Sequence, residues 1–544
     1  MAETSYDGII IGAGQHGLVL ACYLAKAGLK VALVERRMQY GGGLMTEEVT
    51  APGYMHNLHS INHWDLKGTP WYTDLELSAR VPYVTPAYEF SQPHADGTAL
   101  VFARNLEETV ASIARFSARD AETFREWNAK AELITRDVFV PERFSEPLTR
   151  EERSALLSRS PAGRDFLDLT SKQPYEIITT LFENERVQVF LLFKLSLFGT
   201  VLYDMIREES PTGSILRAFD IDTGYDMCVG GSWNLARGLM EVFIANGGSF
   251  VNQAHIDRII VEGGRATGVE LAGGRTLRAS QFVASTVDVN QTFQQMVGPE
   301  QLPDEFSAKV ERHHYTPWGL YGVHLALNEA PRYTSTDFDP NVNRAMKQNI
   351  GSETLEQLMG VHKAVQDKTI PTEIQFGAGP LTMIDPTQAP PGKHTAYAWH
   401  VVPYDPGGDP ANSEAVRESF GWQIIEKWRE YAPNLTDDNI VGTYFYTPND
   451  YVAHLPNMRG GDIFMGAFTS DQVMWNHFGY RSPVEGLYNA GSAAHPGGAI
   501  SGGVGYISAR VICEDLGIDP WWDPVDARRA IESFTSRQPV EGRT

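Results

Sequence analysis

Cysteine is scarce in this 544-residue chain: Cys22, Cys228 and Cys513 stand far apart, with no paired or metal-like spacing. A disulfide-stapled scaffold is thereby excluded, and the three read as reduced packing residues. Basic runs are lacking too. The 45 Lys and Arg against 68 Asp and Glu leave a formal net charge of -23, spread along the sequence. Such a surface repels polyanions, so no nucleic-acid partner is expected. No charged and apolar leader precedes the first strand-like run, which points to a cytoplasmic location. Long apolar runs are reduced to one, residues 187–206, interrupted by Gln188, Lys194, Gly199 and Asp204. A buried helix of a substrate-binding region is the first reading of that run, and peripheral contact with a membrane surface the second. Internal repeats and low-complexity linkers are also missing.

What is present begins at the N-terminus. An apolar, strand-like run at 6–11 leads into Gly12-Ala13-Gly14-Gln15-His16-Gly17, then into an apolar helix-like run at 18–27 and a second strand-like run ending in Glu35. In a chain with 50 glycines, about 0.4 such glycine patterns arise by chance, so the pattern alone decides little. Its context decides more. Gly12 permits a tight turn, Gly14 lets the backbone approach a pyrophosphate, and Gly17 lets the helix lie close to the strand, with its N-terminus toward the anion. Gly28 closes the helix. Glu35 follows Gly14 by 21 positions, where a carboxylate at the end of the second strand can accept hydrogen bonds from ribose hydroxyls. These residues predict a dinucleotide-binding enzyme.

The chain is too long for one ordinary core, and 42% hydrophobic content provides for two or more domains. Past the opening unit lie a turn at Gly41-Gly42-Gly43 and a histidine-rich stretch containing His56, His59 and His63. Residues 104–206 read as mostly helical inserted material. A helix at 234–246, short strands at 249–251, 256–261 and 266–271, and an apolar run at 281–286 read as a meander returning to a buried strand. Strands at 320–327 and 395–402 with an amphipathic helix at 414–431 predict a sheet with helices on one face. The chain then returns to glycine-rich turns at 491–505 before a last apolar helix at 506–516. The expected organisation is interleaved: cofactor domain from 1–75, 226–312 and 456–520; substrate domain from 76–225 and 313–455; and a tail at 521–544.

Taken in order, these pieces resemble the phytoene dehydrogenase-like FAD-dependent oxidoreductases, within the amine-oxidase and glutathione-reductase-like flavoproteins. The likeness rests on residues 6–17 with Glu35-Arg36-Arg37 and Gly41-Gly42, on Val229-Gly230-Gly231-Ser232-Trp233, and on the stretch from Asp385-Pro386 to Gly392-Lys393-His394. His495-Pro496-Gly497-Gly498 with Ser501-Gly502 carries it at the C-terminal end. It implies an α/β fold, a Rossmann-like FAD-binding domain interleaved with an α+β substrate domain of mixed sheet plus helices. It further implies FAD, with Glu35 on the adenosine ribose, Gly12, Gly14, Gly17 and Arg36 near the pyrophosphate, and Gly41 and Gly42 in the turn beside it. Ile256 would meet the adenine through its backbone. Gly491 and Ser492 would lie by the pyrophosphate and ribityl chain, and Gly498, Ser501 and Gly502 by the isoalloxazine. Many relatives carry an acidic residue where Ser492 stands, so that contact differs here.

A flavin supplies its own redox chemistry while the protein supplies position and electrostatics, so few side-chain catalysts are needed. His495 is the first acid–base candidate and His59 the second; no metal site is expected. The resemblance implies hydride removal to flavin N5 from adjacent carbons of a hydrophobic, isoprenoid-like substrate. Only one complete G-x-G-x-x-G occurs, so the electrons would go to oxygen, a quinone or a redox protein and not to a nicotinamide. The alternatives are a flavin amine oxidase, a reduced-FAD-dependent isomerase or saturase of a double bond, and a non-catalytic flavin-binding protein.

Overall fold

The computed structural model describes residues 4–196 and 211–537. Strand β1 (Thr4–Ile11), helix α1 (Gln15–Lys26) and strand β2 (Val31–Val34) form the opening βαβ unit. Later in the chain come α2 (Trp233–Ala245), β3 (Ser249–Val251), β4 (Ile256–Glu262), β5 (Arg265–Leu271), β6 (Thr276–Ser285), β7 (Leu487–Asn489) and α3 (Gly503–Asp515). All seven strands join one sheet. Strands β3, β2, β1 and β6 run parallel in that order. β6 serves two partners on its other edge: its second half pairs in parallel with β7, Val283 opposite Leu487, and its first half pairs antiparallel with β5, which carries β4.

The apolar runs of β1, β2 and β6 are explained by burial on both faces. Ile10, Leu33 and Phe282 pack with Leu18, Leu235 and Val504 of the three helices. Ile9, Val34 and Val283 face the opposite way, toward Ile256, Val269 and Phe293. Each such side chain contributes about 1.5–3 kcal/mol when fully buried. Two glycines set the spacing. A Cβ on Gly17 would lie 2.0 Å from the Gly12 carbonyl oxygen, and one on Gly505 would lie 2.2 Å from that of His16. The first helix turn therefore sits against the β1 loop, and α3 sits against that turn.

A second seven-stranded sheet is ordered Ile440–Tyr446, Trp318–Leu327, His394–Pro403, Phe376–Gly379, Lys347–Ile350, Tyr88–Pro93, Ala99–Ala103. Along its central strands the period of two divides the residues. Val323, Leu325, Ala396 and Ala398 pack on Ile424 and Trp428 of helix Arg417–Tyr431, while Trp318, Leu320, Trp399 and Val401 line a cavity. Helices between Leu106 and Ser196 close the other side. Of the 187–206 run, helix Glu185–Ser196 buries Val187, Phe190, Leu191 and Leu192; residues 197–206 lie outside the described part. Among the described residues, no helix is long and apolar enough to cross a membrane. The stretch from 521, expected as a tail, is anchored: Trp521 and Trp522 pack on Tyr23, and helix Ala527–Ser536 buries Ile531 and Phe534.

Candidate active site

A cleft of about 320 Å³ opens at the C-terminal ends of β1, β2 and β6, the place where open α/β sheets bind ligands. Gly12, Gly14, Gln15 and His16 form one wall. Gly14 caps α1 without a side-chain acceptor, and no acidic residue stands in the first turn, so first-turn N–H groups are left for an external acceptor. Both polar atoms of the buried Gln15 side chain also lack a protein partner. That combination suits an anion with several oxygens, such as a pyrophosphate. At the end of β2 the Glu35 carboxylate accepts the Ala13 N–H at 3.0 Å and the Arg37 N–H at 2.9 Å. Each oxygen retains lone pairs for hydroxyl donors. Together these residues fit a dinucleotide.

A second cavity, of about 220 Å³, lies against the second sheet and has Trp64, Tyr225, Trp318, Trp399 and Phe464 in its wall. It is not purely apolar. His59, His63, Arg143, Arg217 and Lys347 line it as well, and no carboxylate does so among the described residues. Arg143 and Arg217 lie over the Trp64 ring at 4.4 and 4.1 Å, and the Lys347 ammonium over Tyr225 at 3.6 Å. Burial pushes Lys347 down to about 7 against the pull of Glu89, and Arg143 down to about 9.

Cleft and cavity share five lining residues, Gly43, Met458, Ile463, Ala499 and Ile500. At this junction Ala499 holds φ at +82°, a conformation costly for a residue with a Cβ and often kept where function requires it.

Of the residues singled out in the sequence, Gly12, Gly14, Glu35, Arg36, Gly42, Ile256 and Ser492 line the cleft. Arg36 also donates to the His454 carbonyl at 2.9 Å. The remainder stand behind the wall. Gly17 seats α1, Gly41 donates its N–H to the Ala13 carbonyl, and Gly491 packs against the Thr286 and Val287 carbonyls. Gly498 packs on Phe464, the Ser501 carbonyl accepts Trp71 Nε1–H at 2.6 Å, and Gly502 caps α3 without a side chain. His495 lines neither space: it is buried with Nε2 2.6 Å from the Glu142 carbonyl, and burial holds it down to about 4. His59 lines the cavity with Nε2 3.2 Å from the Tyr446 hydroxyl and Nδ1 unpartnered; burial lowers it to about 3. The sequence did not single out Trp64, Arg143, Trp318, Lys347, Trp399 or the junction residues Ala499 and Ile500. Only the flagged histidine-rich stretch and the 498–502 loop pointed toward any of them.

Residues 10–75 match a family model described as an NAD(P)-binding Rossmann-like domain. A limonene dehydrogenase polypeptide of Castellaniella defragrans is 30% identical, with 96% of each chain covered. A lycopene-forming phytoene desaturase of a Paracoccus species is 25% identical over 93% of this chain and 97% of its own. A putrescine oxidase variant superposes with a TM-score of 0.60 at 16% identity, over 95% of this chain and 100% of the other; at that identity the likeness is one of fold.

Proposed function

Because this chain belongs to the phytoene dehydrogenase-like family of flavoprotein oxidoreductases, we propose that it holds FAD in the cleft and removes hydrogen from adjacent carbons of a hydrophobic substrate in the cavity. The observation that carries this reading is the shared wall of Gly43, Met458, Ile463, Ala499 and Ile500, which joins a dinucleotide-shaped cleft to an aromatic chamber. Once bound, FAD supplies the acceptor for a hydride leaving carbon.

The residues of the chain bind, orient and exclude. First-turn amides of α1 take the pyrophosphate, Glu35 takes the ribose hydroxyls, and the backbone near Ile256 takes the adenine. Ser492 and the 498–502 loop serve the ring end, where the N-terminus of α3 favours negative charge. Trp64, Trp318 and Trp399 keep water from the reacting carbons. His59, held neutral by burial, sets an unpartnered Nδ1 in the cavity wall that can hydrogen-bond and orient a substrate, whereas His495 ties the ring-side loop to Glu142. The acceptor of the electrons is oxygen, a quinone or a redox protein.

Arg143, Arg217 and Lys347 in the wall disfavour an incoming ammonium, which weighs against the amine-oxidase alternative. The test is anaerobic: the yellow holoprotein is mixed with terpenoids, carotenoids, hydrophobic acids and amines, and flavin bleaching is followed. Bleaching by a hydrophobic compound able to lose hydrogen from adjacent carbons is expected, slowed in His59→Gln. Bleaching by amines alone, or turnover only after prior flavin reduction, would replace this reading with one of its alternatives; a colourless protein that takes up no FAD would end it.

A further inference from the structure

One ring of the cavity wall is linked to the outside of the protein. His59 stands at the junction: the Ser60 N–H donates to the Gly43 carbonyl at 3.1 Å, and a Cβ on Gly43 would lie 3.9 Å from that of His59. Its Nε2 is 3.2 Å from the Tyr446 hydroxyl, which in turn lies 2.8 Å from Nδ1 of His454. Nδ1 of His59 has no protein partner. Tyr446 ends the strand Ile440–Tyr446 and is fully buried, whereas His454, the last residue of helix Pro448–His454, is partly exposed. The Tyr451 ring, edge-on to His59 at 5.0 Å and to Tyr446 at 4.6 Å, fixes both ring planes. Other charges nearby do not interrupt this chain. Asp450 turns its carboxylate to Arg417 and to the Thr447 N–H, each at 2.7 Å, and offers Tyr446 only a backbone carbonyl at 3.3 Å. Arg37 and His324 act on His59, and Glu47 and Tyr444 on Tyr446, through space alone; Arg36 meets the His454 carbonyl and not its ring.

We infer that His59, Tyr446 and His454 form a relay that carries a proton from the junction of cleft and cavity to the outside of the protein. The inference rests on dehydrogenation in the cavity, which removes a proton as well as a hydride and leaves a charge to be cleared from a largely aromatic chamber. With His59 carrying its hydrogen on Nε2, the transfers occur in step. The substrate C–H proton goes to His59 Nδ1, the Nε2 hydrogen goes to the Tyr446 oxygen, and the Tyr446 hydrogen goes to His454 Nδ1. The electron pair of that C–H bond becomes the double bond to the neighbouring carbon, which has lost the hydride to the acceptor. Only His454 ends charged, and its imidazolium gives the proton up to water. Burial holds His59 down to about 3; that forbids a standing imidazolium in the wall, but not a ring that gains one proton as it passes on another. A hydrogen beside a carbon losing hydride is acidic enough for so weak a base. Burial also pushes the Tyr446 phenol up, so it stays the neutral middle of the chain. The transfer leaves the chain reversed, with His454 donating to Tyr446 and Tyr446 donating to His59.

The experiment reads that reversal in the resting holoprotein by nitrogen NMR of isotopically labelled histidine, with His59→Gln and His454→Gln assigning the signals. While His454 is neutral, His59 should carry its hydrogen on Nε2 and show a bare Nδ1. As acid protonates His454, the His59 hydrogen should move to Nδ1; in Tyr446→Phe, which lacks only the connecting hydroxyl, it should stay. A His59 ring indifferent to the titration in the wild type overturns the inference, as does a move that persists in Tyr446→Phe. The kinetic arm uses the compound that bleaches the flavin fastest in the anaerobic screen. Tyr446→Phe should slow flavin reduction at saturation by about tenfold or more, with half-saturation within about twofold. Should Tyr446→Phe not fold, His454→Gln at the exposed end replaces it in both arms. Equal bleaching rates in wild type and variant leave the dehydrogenase reading standing and remove this one. A chain that reverses in a protein that no compound bleaches does the opposite.

Discussion

The cleft and the cavity meet at five residues, yet they are made of different material. The cleft is framed by glycine turns at 12–14 and 42–43, set at the ends of β1, β2 and β6, where the chain itself turns and a helix N-terminus faces the space. The cavity wall is side chain, with rings and cations drawn from residues 59–64, 143, 217, 225, 318, 347 and 399. A backbone site is specified locally, because the spacing of glycines fixes where the chain turns and how near a helix approaches. A side-chain site exists only after distant segments have packed. Cofactor recognition should therefore fail through single backbone-blocking substitutions, and substrate recognition through changes of charge and ring.

The sharpest break of that contrast is Gly17→Ala. Its Cβ would stand 2.0 Å from the Gly12 carbonyl oxygen, and neither the β1 loop nor the first turn of α1 can yield without displacing the anion-facing amides. Complete loss of flavin after desalting is expected, with a fall in melting temperature from overpacking of about 1–3 kcal/mol. A variant that keeps its yellow colour and its melting temperature would mean that the close helix approach does not define the cleft.

Acid should separate the two regions next. His63, in the cavity wall, is held down to about 3 by burial; His324 and His400, on the second sheet, are held to about 3 and 4. On the cofactor side His16 and His495 are each held to about 4. These imidazoles are neutral in the fold, whereas an unfolded histidine protonates near 6.5. The unfolded chain thus binds more protons between pH 6.5 and 4, and stability falls as pH falls through that window, by about 1.4 kcal/mol per pH unit for each imidazole that stays neutral. Calorimetry from pH 7 to 5 should show a falling transition temperature, with cavity tryptophan fluorescence changing before flavin is released. Simultaneous loss of both signals at every pH would show one cooperative unit and erase the distinction.

How much could be read from the sequence follows the same division. The opening unit appeared where expected, β1 at Thr4–Ile11 and α1 at Gln15–Lys26, and the meander returned to a buried strand as β6, because glycine turns and apolar runs are local signals. That β6 divides its edge between β5 and β7 was not legible, since pairing partners leave no mark on a strand buried on both faces. Nor was the position of Lys347. It follows a short helical turn and begins a four-residue strand, and only the neighbouring Tyr88–Pro93 strand and the ring of Tyr225 make it a cavity residue. His495 attracted notice by standing before a glycine loop, but the carbonyl of Glu142, which engages its ring, comes from a distant helix that no local pattern connects to it.

Glu35 is the carboxylate recognised in the cleft from sequence, and it makes the gentlest test. Its carboxylate already holds the Ala13 and Arg37 N–H groups at 3.0 and 2.9 Å, so it shapes the glycine turn as well as offering oxygens to a ribose. Glu35→Ala removes both functions, whereas Glu35→Gln preserves one oxygen acceptor and loses the charge. Hydrogen bonds to a charged group contribute about 1.5–3 kcal/mol, so Glu35→Ala should weaken FAD binding by about tenfold to a hundredfold, and Glu35→Gln by less. Both should leave the response of the cavity tryptophans to a hydrophobic ligand intact when FAD is saturating, as read by equilibrium titration of the apoprotein with FAD followed by fluorescence. Unchanged FAD affinity in both variants would show that the cleft recognises its ligand through backbone alone. An altered ligand response would show that the two regions are coupled across Ala499 and Ile500 and are not two sites that merely touch.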